Sequence, residues 1–230
     1  AREERAAFEQ AARAEGFPNF HITEVDSRSE MVPATDRPEY FPFFYLEPLE
    51  KNIAVLGLDP STGPNSGGAM RKALELGSPT ATRCIRLVVC PDRPLGIVAF
   101  LPVYQKGLHD TSEKRRSALA GFASAVFRVD DIIHEAVSED VRDHLDFVIR
   151  DVTDSEPTVV YASGEHLEAR PIIDGRAASL RTTLPLAVVD RRWELEFRPT
   201  EHLLREHRLA TPWAVLIGGL VFSALLASYL

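Results

Sequence analysis

CIRLVVCPDRPLGIVAFLPVY, residues 84–104, carries two apolar runs, 84–89 and 95–104, parted by the turn-rich CPDRP. Short runs rich in Val, Ile and Phe, bounded by Pro and Asp, read as a hairpin of well-buried strands. This stretch is therefore expected to form the middle of a first sheet. Arg86 stands inside the first run, where an unpaired charge is expensive. It must reach solvent, pair with an acid such as Glu47 or Asp59, or meet an anionic ligand. If 84–90 is one strand, Cys84 and Cys90 lie roughly 20 Å apart at about 3.3 Å per residue. That is well beyond the roughly 7 Å Cα limit for a disulfide, so both read as small buried hydrophobes.

Upstream, Ala69, Met70, Ala73, Leu74 and Leu76 fall on a helical stripe that ends at Gly77. Before it, NIAVLGLD, 52–59, reads as an apolar strand running into the turn-rich PSTGPNSGG, 60–68. Asp59, at the mouth of that strand, has two readings. It supplies an Asx-type bond to a capped turn, or it accepts paired N–H groups of a ligand. FPFFYLEPL, 41–49, is aromatic, and Pro42 suggests the start or edge of a strand. Phe43, Tyr45, Phe100 and Tyr104 could present rings to a flat ligand, although aromatics in alternating strands also fill cores. FHITEV, 20–25, alternates as a strand, and AREERAAFEQAARAEG, 1–16, reads as a helix stopping at Gly16.

Downstream the pattern changes. Leu119, Phe122, Val126, Val129, Ile133 and Val137 keep a three-to-four spacing, expected as one long helix capped by Asp110 or Ser112. Four strand candidates follow, at 145–152, 157–163, 179–189 and 192–199. In the last, Trp193, Leu195 and Phe197 point one way and Glu194, Glu196 and Arg198 the other. EHLLREHRLA, 201–210, is expected to be helical and to continue into TPWAVLIGGLVFSALLASYL, 211–230, which has no Asp, Glu, Lys or Arg. A helix of that length spans a bilayer's hydrocarbon core, with Trp213 and Tyr229 as interfacial anchors.

The net charge of −8 argues against nucleic acid as a partner, since phosphate rewards a basic face. The scattered histidines, with His202 and His207 five apart, do not suggest a metal, and no cofactor is expected. The fold class is α+β. Its expected parts are a stalk helix at 1–19, a membrane-distal unit at 20–109, a connecting helix at 110–140, a membrane-proximal unit at 141–199, an exit helix at 200–210 and a transmembrane helix at 211–230.

FPFFYLEPLEKNIAVLGLD, then MRKALELG, then TRCIRLV, then LGIVAFLPVY, in that order and spacing, resemble the CHASE domain. This is the extracellular or periplasmic sensor module found ahead of histidine kinases and of nucleotide and diguanylate cyclases. The resemblance implies two PAS-like subdomains with antiparallel sheets, a ligand in the distal one, an earlier membrane helix before Ala1, and a bacterial inner-membrane setting with the sensor periplasmic. In plant members an aspartate in the segment matching LGLD holds an adenine-type hormone, and that residue is Asp59 here. The family's helix-closing Thr-Gly is Leu76-Gly77, a pocket Leu corresponds to about Ala81, and a ligand-contacting Thr falls near Cys90. Those departures point to a different small ligand in a pocket of the same location.

The leading expectation is a sensor input domain, not an enzyme, in a receptor whose output is a histidine kinase or diguanylate cyclase. Its partners would be a small molecule, the membrane and a second copy of the chain. A membrane-anchored hydrolase is the first alternative, but Asp59-Pro60-Ser61-Thr62-Gly63 only faintly matches a protease D-[ST]-G element, and no second copy completes a carboxylate pair. A structural dimerisation module without ligand is the second.

Overall fold

The charged, Ala-rich start folds as helix α1, Arg2–Ala14. The computed structural model describes residues 2–87, 95–107, 110–164, 182–200 and 202–203. Arg5 and Arg13 bridge to Glu9 at 3.0 and 3.2 Å, both at i,i+4 spacing. Glu9 also accepts the Ile22 amide at 2.9 Å, and Arg5 donates to the Ala34 carbonyl at 2.8 Å. Ile22 and Ala34 flank a short antiparallel pair, β1, Thr23–Val25, and β2, Met31–Pro33. The helix is thus tied to main-chain groups of both chain segments at the open end of that pair. Beneath it, Ala12, Phe20, Ile22 and Ala34 form a buried cluster edged by Phe17, Tyr40 and Phe44.

The expected strands at 41–49 and 52–59 do not form as such. Helix α2, Leu49–Asn52, and a 3₁₀ turn, Ile53–Val55, occupy the middle. The chain then folds back so that Phe43 donates to Leu58 and accepts from Gly57, at 2.9 and 2.8 Å. Gly57 makes that return possible: its φ is 85°, and a Cβ there would collide with the His21 carbonyl. Only Leu58 and Asp59 behave as extended chain, with Leu58 bridged to Thr23.

Helix α3, Ser66–Leu76, follows the apolar stripe in part, burying Ala69, Met70 and Ala73 while Leu74 is half-buried and Leu76 is exposed, and it ends at Gly77 in the left-handed region with φ 67°. It lies on the first sheet, made of β3, Thr80–Ala81; β4, Ile85–Arg86; β5, Leu95–Tyr104; and a further strand that pairs the free edge of β5. The expected pairing of the two runs is present over Ile85–Arg86, opposite Gly96 and Leu95, although Arg86 is exposed and 88–94 lies outside the described residues. Met70, Leu87, Val98 and Phe100 fill the space between helix and sheet. Burying a Phe100-sized side chain contributes about 1.5–3 kcal/mol.

The long connecting helix expected at 110–140 is replaced by three elements: α4, Ser112–Ala118; β6, Leu119–Arg128; and α5, Val129–Ala136. The three-to-four spacing is real, but the ladder with β5 overrides it. From Gly96 opposite Arg128 to Tyr104 opposite Leu119, β6 satisfies the backbone groups of β5 that a helix would leave open. Val126 is accordingly 55% exposed rather than buried. The first sheet therefore continues past the expected division near residue 110. Thr111, rather than Asp110 or Ser112, caps α4 by accepting the Lys114 amide.

The second sheet follows the sequence reading closely. After helix α6, Glu139–His144, come β7, Leu145–Asp151; β8, Thr158–Ala162; β9, Thr182–Val188; and β10, Arg191–Pro199. All are antiparallel, in the order β8-β7-β10-β9. Trp193, Leu195 and Phe197 face the core with Phe147, Ile149 and Val160, and Ile97 of β5 joins the same cluster, so the two sheets share packing. On the opposite face Glu196 is 2% exposed, covered by Arg150 at 2.7 Å and Arg198 at 2.5 Å. The exit helix beyond Leu203 and the expected span at 211–230 lie outside the described residues. Among the described residues no helix is long and apolar enough to cross a membrane.

Candidate functional site

Asp59 is buried, and its carboxylate is occupied by the protein. One oxygen accepts the Ser61 amide at 2.8 Å, capping the 3₁₀ turn Pro60–Thr62. The other accepts the Phe41 amide and the Arg37 guanidinium, both at 2.9 Å. Of the two sequence readings, the capped turn is what the geometry displays, together with a cation the sequence did not nominate. Arg37 also pairs with Glu24 and lies 4.7 Å from the centre of the Tyr40 ring. Burial of Glu24 acts to raise its pKa, but the Arg37 and Thr35 hydrogen bonds and the Arg37 charge outweigh it and hold the carboxyl below its usual range. Arg37 itself is pulled down by burial but held above its ordinary value by Asp59 and Glu24.

Tyr40 and Phe41, which this cluster contacts, belong to the lining of a groove of about 690 Å³ between α1 and α3. Phe41 and Tyr40, fixed by the Asp59–Arg37 pair, form one wall. Arg5 and Phe8 of α1 form a second, and Arg71, Leu74 and Glu75 of α3 a third. Arg71, Leu74 and Glu75 stand at i, i+3 and i+4, so one face of α3 lines the groove while the opposite face packs on the sheet. Arg115 donates to the Leu74 carbonyl at 3.0 Å and to that of Glu75, satisfying the end of the helix. The lining is amphipathic: apolar surface from Phe8, Ile22, Leu74 and Leu119, and charges of both signs.

The residues nominated from sequence sit elsewhere. Ala81 is buried in β3, its amide held by Asp190 at 2.7 Å, and it pairs with Ala99. Phe100 is a core residue, and Phe43 packs against the same cluster. Tyr45 is 94% exposed. Arg86 projects from β4 to solvent, and Tyr104 is half-buried at the end of β5. Cys90 lies outside the described residues. None of the described candidates lines the groove between α1 and α3. Cys84 is half-buried and free, and burial, with Asp151 and Asp130 nearby, pushes its thiol up to about 11. The groove residues left no sequence signal beyond the polar face of α3, because their association depends on α1 packing across the 38–42 loop.

Residues 1–161 match the sequence model of the CHASE domain. The chain belongs to the CHASE domain family. CHASE domains are extracellular sensor modules of signalling receptors rather than catalytic domains, in agreement with the resemblance carried by the motifs at 41–104. No curated protein matches this CHASE chain at a significant level.

Proposed function

We propose that this CHASE domain is the ligand-sensing input of a transmembrane receptor, and that its small-molecule ligand occupies the groove between α1 and α3. The observation that carries the reading is the groove's position. It joins the N-terminal helix to α3, and α3 reaches the β9–β10 turn through Lys72. Asp59 acts here as a positioning residue, holding the Phe41 amide and Arg37 so that the Tyr40–Phe41 wall keeps its shape. Ligand binding favours one arrangement of α1, α3 and the β9–β10 turn, and the change passes along β10 toward the C-terminal segment. The two sheet units are read as the two PAS-like subdomains of the resemblance, the first distal and the second proximal to an inner bacterial membrane. The membrane helix expected at 211–230 would carry the signal to a histidine kinase or diguanylate cyclase module, in a homodimer.

A thermal-shift screen of the purified chain against purines, amino acids and short peptides tests this. At about 100 times the dissociation constant a ligand stabilises its protein by about 2.7 kcal/mol, a readable shift. At least one compound should raise the melting temperature, and Leu74→Trp, which fills the groove, should abolish that rise. A screen with no stabilising compound, or a rise indifferent to Leu74→Trp, counts against the reading.

A further inference from the structure

The charges around the groove are not equally available. Arg5 is spent on Glu9, on the Ala34 carbonyl at 2.8 Å and on the Ile22 carbonyl at 3.4 Å. Arg116 and Glu75 face each other at 3.6 Å, and Tyr40 gives its hydroxyl to the Thr35 carbonyl at 3.1 Å while accepting the Arg37 amide at 2.9 Å. Arg71 and Glu39 differ. Both are exposed, both line the groove, and neither side chain has a hydrogen bond or ion pair within the described residues. They lie on different walls, Arg71 on α3 and Glu39 on the 38–42 loop, with Leu74, Phe41 and Phe8 among the apolar surface they share.

From this we infer that the ligand is a zwitterion of the amino-acid or short-peptide class with an apolar side chain. The inference rests on the sensor reading and narrows it. An anionic carboxylate matches the planar fork of Arg71, which offers paired N–H donors in carboxylate geometry. An ammonium matches the acceptor-only carboxylate of Glu39. The lining residues themselves balance, with Arg5, Arg71 and Arg116 against Glu4, Glu39 and Glu75, so the groove does not favour a strongly anionic or cationic molecule. A ligand with both charges and an apolar portion meets every available group; a neutral heterocycle would leave both ions unmatched. Lining from α1, the loop and α3 together also means that such a ligand contacts three separate elements at once, as a signal that shifts their relative positions requires.

The test is calorimetric titration of the chain with L-phenylalanine, L-leucine and their dipeptides, each compared with its N-acetylated and C-amidated form and with adenine as a neutral control. The expected result is binding of at least one free zwitterion, weakened about tenfold or more by either cap, since each cap removes one charge-assisted contact. Arg71→Gln should erase the difference between free and amidated probes, and Glu39→Gln the difference between free and acetylated ones. Because both side chains are exposed, the two variants should keep the parent's melting temperature. Binding of adenine or of the capped forms as tightly as the free ones, still abolished by Leu74→Trp, would overturn the zwitterion while leaving the sensor reading intact. No binding by any probe would overturn the zwitterion, and together with a negative wider screen it would remove the sensor reading too.

Discussion

Lys72 and Asp190, 118 positions apart in the chain, meet at 2.7 Å and join the first unit to the turn between β9 and β10. The second oxygen of the same carboxylate accepts the Ala81 amide, also at 2.7 Å. Asp190 thus holds a helix and a strand of the first sheet at once. A second tie runs alongside it: Arg83 meets Asp154 at 2.9 Å, and Arg191 meets Asp154 at 3.0 Å and Asp151 at 2.5 Å. Lys72 follows the groove residue Arg71 directly, so α3 carries both a wall of the groove and the contact to the β9–β10 turn.

The two partners of that contact should not weigh equally. Asp190→Ala strands the half-buried Ala81 amide and should destabilise the fold by about 1–3 kcal/mol. Lys72→Gln removes only a surface pair, with the lysine side chain 51% exposed, and should cost about 0–1 kcal/mol. Urea denaturation of the two variants beside the parent measures both. Equal losses would mean that the ion pair, not the amide contact, sets the strength of the joint.

Asp59→Ala should be among the most damaging single changes in the first unit. It removes the acceptor for the Ser61 and Phe41 amides and leaves the largely buried Arg37 with Glu24 alone. Breaking a buried pair from one side costs about 3–5 kcal/mol. Circular dichroism melts should show this loss in the absence of any ligand. A parent-like melt, with ligand binding abolished, would instead mark Asp59 as a direct ligand contact.

Much of the architecture is legible in the order of the residues alone. The alternation in β10 places Trp193, Leu195 and Phe197 correctly, and α3 with its Gly77 stop is legible too, although Leu76 of the stripe faces solvent. The readings that fail do so where two signals compete. Leu119, Phe122 and Val126 have helical spacing, but the open edge of β5, a tertiary feature, recruits the segment as a strand. NIAVLGLD looks like a strand by composition, yet Pro48 before it and Gly57 within it suit a turn and a return. The groove is the least legible part. Arg37, Glu39, Tyr40 and Arg71 are ordinary polar or mixed positions until the Asp59 carboxylate and α1 bring their segments together.

Acid should weaken the fold in a definite direction. Glu9, Glu24 and Asp151 are each burdened by burial, but their hydrogen-bonded arginines and amides more than compensate and hold all three below the ordinary carboxylate range. Protons therefore bind the unfolded chain more readily, so these groups contribute full stability above about pH 4–4.5 and lose it as pH falls through their lower folded values. Denaturation midpoints should be flat from pH 7 to 5 on this account and decline below pH 4. Glu24→Gln should flatten part of that decline.

Cys84 should behave as a protected thiol. With its pKa pushed up to about 11 from an ordinary 9, the reactive thiolate is scarce near neutrality. The folded state holds the proton more tightly than the unfolded chain, so this group costs stability as pH rises beyond about 9. In a Cys90→Ala background, alkylation of the native protein at pH 8 should run about a hundredfold slower than in urea. Comparable rates would show that Cys84 is more open than its packing suggests.

Amide hydrogen exchange, recorded with and without a saturating ligand from the screen, bears most directly on the sensor role. Added protection is expected in α1, in residues 38–42 and in α3, with a smaller change at the β9–β10 turn around Asp190. Protection confined to the second sheet, or restricted to the groove with no response at residues 188–192, would contradict a sensor that reports its occupancy through α3.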